Sequence, residues 1–426
     1  MFDSTSLLGP LVFAYPIISR FWWFWLFLIL SVFSYTVWLA YVRECYKRRF
    51  NWVLLELRVP REVRKTPQAM EQVFMTMHAL ANGPSNFKEK YWDGEITMWF
   101  SCEIVSLGGE IRFYVRVPGR HRNVVEASLY AHYSDIEIAE VTDDYLNHLP
   151  ETVDELKKNN YELFGNEFRL EKEDVYPIRT YVDFETPEEE ERLDPIGALL
   201  EILTKIKPEE KVFLQILVRP ADDAWKEKGE KLAKELKERG KEYVTSQFGA
   251  HPVYPQLTPG EIEVLKTIQR NVAKPGFDTI IRQLYIAPKE TFDHGFPRRG
   301  VISAFNQYAS ETLNRFKNNV FVWTLVSPFN PPYVFTKTRA LGRQRRIYRN
   351  YRRIVMHPEG GITFGLGSWK SYRMVLNAEE LATIFHLPTI AVLTGPLIKR
   401  AEAKKIGPPA GLAIFGQGED ILPGIK

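Results

Sequence analysis

The sequence predicts an α+β protein, an N-terminal transmembrane helix followed by two ferredoxin-like (split βαβ) domains, the second with a helical insertion. Three observations predict it. One apolar run of 22 residues near the N-terminus carries no charge, which is long enough to cross a bilayer. Residues 50–150 switch between period-2 and period-3.6 hydrophobic patterns in the order strand, helix, hairpin, helix, strand. Residues 160–330 repeat that order around a long charged insertion at 220–273.

The first element is a short apolar stretch, SLLGPLVFAYPIIS, within residues 1–20. Pro10 and Pro16 break it, so it predicts an interfacial segment rather than a span. The run Phe21–Val42 follows and, at about 1.5 Å per residue, matches a hydrocarbon core of roughly 30 Å. Trp22, Trp23, Trp25 and Tyr41 suit the interfacial aromatic belts. The run is too long for a signal-peptide core and no small-residue cleavage site follows it. A buried core helix would pass the same length test. The flank RECYKRR supplies Arg43, Lys47, Arg48 and Arg49 against one acid. By the positive-inside rule this predicts a single pass through the inner (cytoplasmic) membrane with residues 43–426 in the cytoplasm, a bias that Arg20 on the other flank weakens slightly.

In residues 50–150, WVLLELRV reads as a strand. Thr66 and Pro67 open a helix whose Met70, Val73, Phe74, Met77 and Leu80 recur at helical spacing. EITMWFSCEIV and EIRFYVRV alternate as strands, and SLGGE between them is a hairpin turn. HRNVVEASLYAHY is helical and IEIAEV closes the unit as a strand. In residues 160–330 the expected order is strand YPIRTYVDF, helix IGALLEILTKI after Asp194-Pro195, and strand KVFLQILVRP. The insertion holds a mixed-charge helix, DDAWKEKGEKLAKELKERGKEYV, and a second helix opened by a Thr258/Glu261 capping box. Strand FDTIIRQLYIA, helix ISAFNQYASETLNRF and strand NVFVWTLV complete the unit. Residues 331–390 hold a basic helix and a C-terminal subdomain with an Asn377/Glu380 capping box, and residues 391–426 form a Gly/Pro-rich tail.

Composition places the chain among globular proteins, since 45% hydrophobic and 26% charged residues leave enough apolar surface for real cores. Cys45 and Cys102 have no zinc-type spacing and no disulfide framework, which fits a reducing compartment. No phosphate loop of the form G-x-x-x-x-G-K-[ST] is present, and GITFGLGSWK reads as a turn between short strands. His357-Pro358-Glu359 spells H-x-E but lacks a P-C-x-x-C partner. The carboxylates show no pair marked as buried. The sequence therefore predicts no catalytic, cofactor-binding or metal-binding residue, and no cofactor. An enzyme of unknown reaction stays as an alternative.

The strongest interaction signal is KTRALGRQRRIYRNYRRI, Lys337 to Ile354. Its charge is +8 against +3 for the whole chain, so the remainder is net −5 and the basic character is local. On a helix, Arg339, Arg343, Arg346 and Arg353 share one face, with Arg345, Arg349 and Arg352 beside it. Arginine suits bidentate phosphate contact, which points to nucleic acid or an acidic partner. Anionic lipid and a merely solvated face are the other two readings. Tyr348 and Tyr351 would either pack the helix on its own domain or stack on bases.

Several phrases carry a resemblance: NWVLLELRVPREVRKTPQAMEQV, EKYWDGEITMWFSCEIVSLGGEIRFYVRVP, VEASLYAHYSDIEIAEVTDDY, LEKEDVYPIRTY, DPIGALLEIL and LNAEELATIFHLP. Over residues 40–412 the chain resembles a membrane-anchored bacterial family of unknown function, of candidate-phyla type. That family is similar to the N-terminal, non-ATPase region of type IV secretion and conjugation ATPases. The resemblance carries over no catalytic residue. It implies a non-enzymatic scaffold or accessory subunit of such a translocation apparatus, and because the chain ends at Lys426 before any motor region, one that docks a separate ATPase. A membrane tether that binds nucleic acid through the Arg-rich helix 337–353 is the alternative.

Overall fold

The structure, a computed structural model, describes residues 20–59, 65–80, 82–184, 193–245, 257–293, 295–326, 334–356 and 373–388. Its helices are α1 (Trp22–Arg48), α2 (Gln68–Ala79), α3 (Arg122–His132), α4 (Val153–Lys158), α5 (Gly197–Thr204), α6 (Ala224–Thr245), α7 (Pro259–Val272), α8 (Phe296–Phe305), α9 (Thr336–Arg352) and α10 (Ala378–Ile384). Its strands are β1 (Trp52–Arg58), β2 (Phe100–Leu107), β3 (Glu110–Pro118), β4 (Glu137–Glu140), β5 (Tyr161–Leu170), β6 (Lys211–Pro220), β7 (Gly276–Pro288), β8 (Phe316–Asn318) and β9 (Met374–Asn377).

Among the described residues these nine strands form one antiparallel sheet in the order β4-β1-β3-β2-β6-β7-β5-β8, with β9 on β7. The first half supplies β4-β1-β3-β2 and the second supplies β6-β7-β5-β8. Counted outward from the β2–β6 junction, both halves run second, third, first, fourth strand. The junction is an eight-residue ladder, Phe100↔Val218 to Leu107↔Lys211. The protein is therefore α+β, with one apolar N-terminal helix and an antiparallel sheet.

The β2–β3 hairpin turns on Gly108 and Gly109, both with positive φ, as its sequence demands. A Cβ on Gly108 would also stand 2.6 Å from the Pro208 carbonyl oxygen, so the turn packs tightly against the loop before β6. One sheet face is buried under α2, α3, α5, α8 and α10, through side chains such as Phe74, Leu129, Leu200, Phe305 and Leu381. Each side chain of this size contributes about 1.5–3 kcal/mol by leaving water. The opposite face carries α9, α4 and the turn Tyr145–His148. The insertion helices α6 and α7 pack on each other and on Val175.

Three expected elements are corrected. YPIRTYVDF is not a strand: Ile178 N–H donates to Glu380, Tyr181 N–H to Thr383 and Arg179 N–H to the Tyr308 carbonyl, so its donors serve α10 and a loop instead of a ladder. The first strand of the second half is β5, YELFGNEFRL. The helix expected over 302–316 is α8, which begins at Phe296 and gives way to a loop after Tyr308. The strand expected over 319–326 is β8, three residues earlier. Asn319 and Thr324 still donate backbone N–H groups to β5, but the chain between them turns. Both capping boxes, Thr258/Glu261 and Asn377/Glu380, form. GITFGLGSWK, His357, the segment 1–19 and the tail from 391 lie outside the described residues.

Candidate functional site

The basic helix α9 buries Gln344, Ile347, Tyr348 and Tyr351, spaced i, i+3, i+4, i+7, against the sheet. The sheet beneath is unusual for a core. The register lines up Glu103 on β2, Gln215 on β6, Arg282 on β7 and Glu167 on β5 in one row across both halves. All four are buried. Arg282 Nε donates to Glu167 Oε1 at 2.7 Å and Nη1 to Gln215 Oε1 at 3.2 Å. Glu103 accepts from Ser101 at 2.6 Å and from the Tyr145 hydroxyl at 2.9 Å. Arg116 lies 3.5 Å from Glu103 and donates to Asp144 at 2.5 Å.

The last turn of α9 sits on this row. A helix C-terminus leaves carbonyl oxygens without intrahelical donors and carries partial negative charge. Arg282 Nη2 donates to the Val355 carbonyl at 2.6 Å, Gln215 Nε2 to the Tyr351 carbonyl at 3.3 Å, and Trp99 Nε1 to the Ile354 carbonyl at 3.0 Å. The turn closes with Ile354 N–H on Tyr351 and Val355 N–H on Asn350, the Schellman pattern. Ile354 has φ +51°, a conformation glycine usually supplies there, and its side chain is held among Trp99, Leu217, Ile280 and Met356. The hydroxyls of Tyr145 and Tyr351 are 2.8 Å apart. Burial, then nearby Glu103, pushes both far above the usual phenol range, so both act as neutral partners. Burial works against the Arg116 charge, but Glu103 and Asp144 outweigh it and hold its pKa above the usual guanidinium value.

The seven arginines divide. Arg352 Nη1 donates to the carbonyls of Leu146, Leu149 and Pro150 at 2.9, 2.9 and 3.0 Å. Arg343 caps the Val320 and Trp323 carbonyls at 3.0 and 2.8 Å. Arg345 grips Asp154 with Nε and Nη2 at 3.0 and 2.8 Å. Arg339 and Arg346 are half-buried, and Arg349, Arg353 and Lys337 are exposed. Base stacking by Tyr348 and Tyr351 is overturned, because both rings are buried and Tyr348 donates to the Pro150 carbonyl.

A second polar joint lies among the helices. Lys274, after α7, bridges Glu71 on α2 and Glu379 on α10, and Arg270 reaches Glu379 at 2.7 Å. Thr180 and Tyr181 donate to the same two carboxylates. Glu380 beside them accepts backbone N–H groups of Ile178 and Asn377, yet burial pushes its pKa up to about 8. His386 Nε2 meets Asp194 at 2.8 Å, and both are buried. The sequence marks no carboxylate as buried, whereas Glu71, Glu103, Glu167, Glu379 and Glu380 all are. For the row beneath α9 the signal was present as polar residues inside apolar strands, Glu103 in SCEIV, Gln215 in LQILV and Arg282 in IIRQLY.

Among the described residues no group of three or more His, Cys, Asp or Glu is placed to hold a metal ion. Cys45 is half-buried and Cys102 buried, both as free thiols. A cleft of about 510 Å³ opens beside Leu149, Leu156, Tyr161, Lys158 and Lys211. Glu155 on its wall already accepts from the Glu151 N–H.

The remaining sequence-marked residues lie on α1. Trp22, Trp23, Trp25 and Tyr41 are exposed, and the helix is long and apolar enough to cross a membrane. At its base Lys47 lies over the Trp99 ring, Arg43 is half-buried, and Arg48 and Arg49 are exposed. Tyr46 is buried and donates to Glu95 at 2.8 Å.

A family model described as a domain of unknown function (DUF8128) matches residues 46–399. The match begins at the residue that fastens α1 to Glu95 and takes in the whole sheet. No curated protein matches the chain.

Proposed function

We propose that this chain, which belongs to the DUF8128 family of unknown function, is a non-catalytic membrane-anchored scaffold. In this reading α1 crosses the inner (cytoplasmic) membrane once and residues 43–426 stand in the cytoplasm. The observation that carries it is the base of α1. The apolar helix does not end in a slack linker but continues into the body, where Val42 and Tyr46 are buried and Tyr46 bonds Glu95. Such a joint suits a platform that must hold a partner at a set height and angle above the bilayer.

The body is read as two ferredoxin-like units fused at their second strands. The matching strand order of the two halves supports this, together with a helix after the first strand of each and another before the fourth. The proposed partner is a separate motor ATPase of the type IV secretion or conjugation kind, a reading that rests on the sequence resemblance. Purification of the full chain from cross-linked native membranes tests it. The expected result is recovery of a nucleotide hydrolase together with a chain that resists alkaline extraction. Recovery of the chain with no such enzyme would overturn the scaffold role.

Nucleic-acid binding through α9 is the second reading, favoured by exposed Arg349, Arg353 and Lys337. With three phosphate contacts the log–log salt slope on duplex DNA would be about −3. Unchanged affinity in Arg349→Glu with Arg353→Glu would remove this reading.

A further inference from the structure

The segment before β2 presents aromatic side chains that the body does not cover. Phe87 is 80% and Trp92 68% exposed, and Tyr91 lies between them with its ring 4.6 Å from that of Phe87. Lys88 and Lys90 beside them are exposed. Aromatic rings interleaved with lysines are what the headgroup layer of a bilayer selects, since the rings bury their bodies and the amines reach water.

This segment is fastened along one face of α1. Tyr91 meets Tyr35 with centroids 6.2 Å apart, Trp92 meets Trp38 at 5.8 Å, and Trp38 Nε1 donates to the Tyr91 carbonyl at 3.4 Å. Gly94 has φ +69°, and a Cβ there would stand 2.5 Å from the Val42 carbonyl carbon, so the two backbones touch. The contacts at 35, 38, 42 and 46 follow helical spacing. They fix a depth. The uncharged run ends at Val42, and Tyr35 lies about 10 Å further into it at the helical rise. If α1 spans as proposed above, with Phe21–Val42 in the hydrocarbon, the Trp38 and Tyr35 contacts hold Trp92 and Tyr91 against the outer acyl chains, about 6 and 10 Å below the core edge, with Lys88 and Lys90 long enough to reach toward the headgroups.

We propose that residues 85–95 are a second membrane contact, an aromatic foot seated where the headgroups meet the outer acyl chains beside α1. The foot would set the tilt of the body, which one helix alone leaves free to rotate. The inference rests on the anchoring of α1, and the test separates the two.

The full chain carrying Cys45→Ser and Phe87→Cys is labelled with an environment-sensitive NBD dye and reconstituted into phosphatidylcholine/phosphatidylglycerol vesicles. Cys102 stays unlabelled, because it is buried and burial pushes its thiol far above the usual range. The same dye at Glu209→Cys, in the exposed turn at the opposite end of the sheet, is the control. The expected result is a blue-shifted emission at position 87, quenched by lipids with a nitroxide high on the acyl chain, and neither effect at 209. Solvent-like emission at 87 in a chain that still resists alkaline extraction overturns the foot and leaves the anchor standing. A blue shift without lipid quenching also overturns it, since a protein surface would then cover the ring. Loss of the chain from the vesicles on alkaline extraction overturns the anchor itself.

Discussion

Replacing Arg282 by methionine tests whether the polar row beneath α9 is a joint between the halves. Arg282 is fully buried and its ion-pair partner Glu167 is 1% exposed. The substitution keeps much of the volume and removes the guanidinium. Glu167 then loses the Arg282 ion pair in a place water does not reach, and the Val355 carbonyl and Gln215 lose the Arg282 donors that hold the end of α9. Breaking a buried pair from one side costs about 3–5 kcal/mol, a large share of the 5–15 kcal/mol by which domains are stable. Removing both charges, Arg282→Met with Glu167→Leu, takes the buried carboxylate away with its guanidinium and restores most of that loss. Urea unfolding of the full chain in detergent, followed by tryptophan emission and circular dichroism, reads both variants. A single variant within about 1 kcal/mol of the parent, or a double variant as weak as the single one, would refute the reasoning.

Four further outcomes are expected. Arg352→Ala, which removes one donor from each of three carbonyls while Pro150 keeps the Tyr348 hydroxyl and Leu146 keeps Leu149 N–H, lowers stability by about 1–2 kcal/mol, whereas Arg345→Ala, an exposed pair with Asp154, leaves the unfolding midpoint where it was. Gly94→Ala forces a side chain into the Val42 backbone and a left-handed φ, so trypsin cuts faster at Lys88 and Lys90; unchanged cleavage would count against the packing. Glu380 binds its proton more tightly folded than unfolded, with a folded pKa of about 8. Its contribution is therefore complete below the ordinary carboxylate range and falls, by at most about 1.4 kcal/mol per pH unit, as pH rises through 8. Glu380→Gln is less stable than the parent at pH 5, and the gap narrows toward pH 8; a constant gap would show that Glu380 does not titrate in that window.

Much of the first half was legible because each of its elements buries one face. Met70, Val73, Phe74 and Met77 repeat at helical spacing, and the strands around SLGGE alternate. The missed strand β5 has Gly165, Asn166 and Glu167 at its centre, which reads as a turn. The glycine is there because α9 approaches closely: a Cβ on Gly165 would stand 2.7 Å from Ile347 Cγ2. YPIRTYVDF alternates like a strand, but its side chains and N–H groups cradle α10, a partner about 200 residues away that no local pattern encodes. The basic stretch was legible as charge and as a helix. Where three of the guanidinium groups point is set by distant partners, the carbonyls at 146–150 for Arg352, those at 320 and 323 for Arg343 and the Asp154 carboxylate for Arg345, which charge counting does not see. Phe87, Tyr91 and Trp92 were overlooked because they follow no period and acquire meaning beside α1.

The proposed role depends above all on α1 holding the α+β body on the cytoplasmic side of a membrane. A membrane-impermeant maleimide applied to Glu209→Cys, in a Cys45→Ser background, tests it most directly, because Glu209 is exposed and lies at the end of the sheet away from α1. The expected result is labelling in inside-out vesicles and protection in intact spheroplasts, with the chain retained in the membrane after alkaline extraction. Equal labelling from both sides, or release of the chain at high pH, would contradict it.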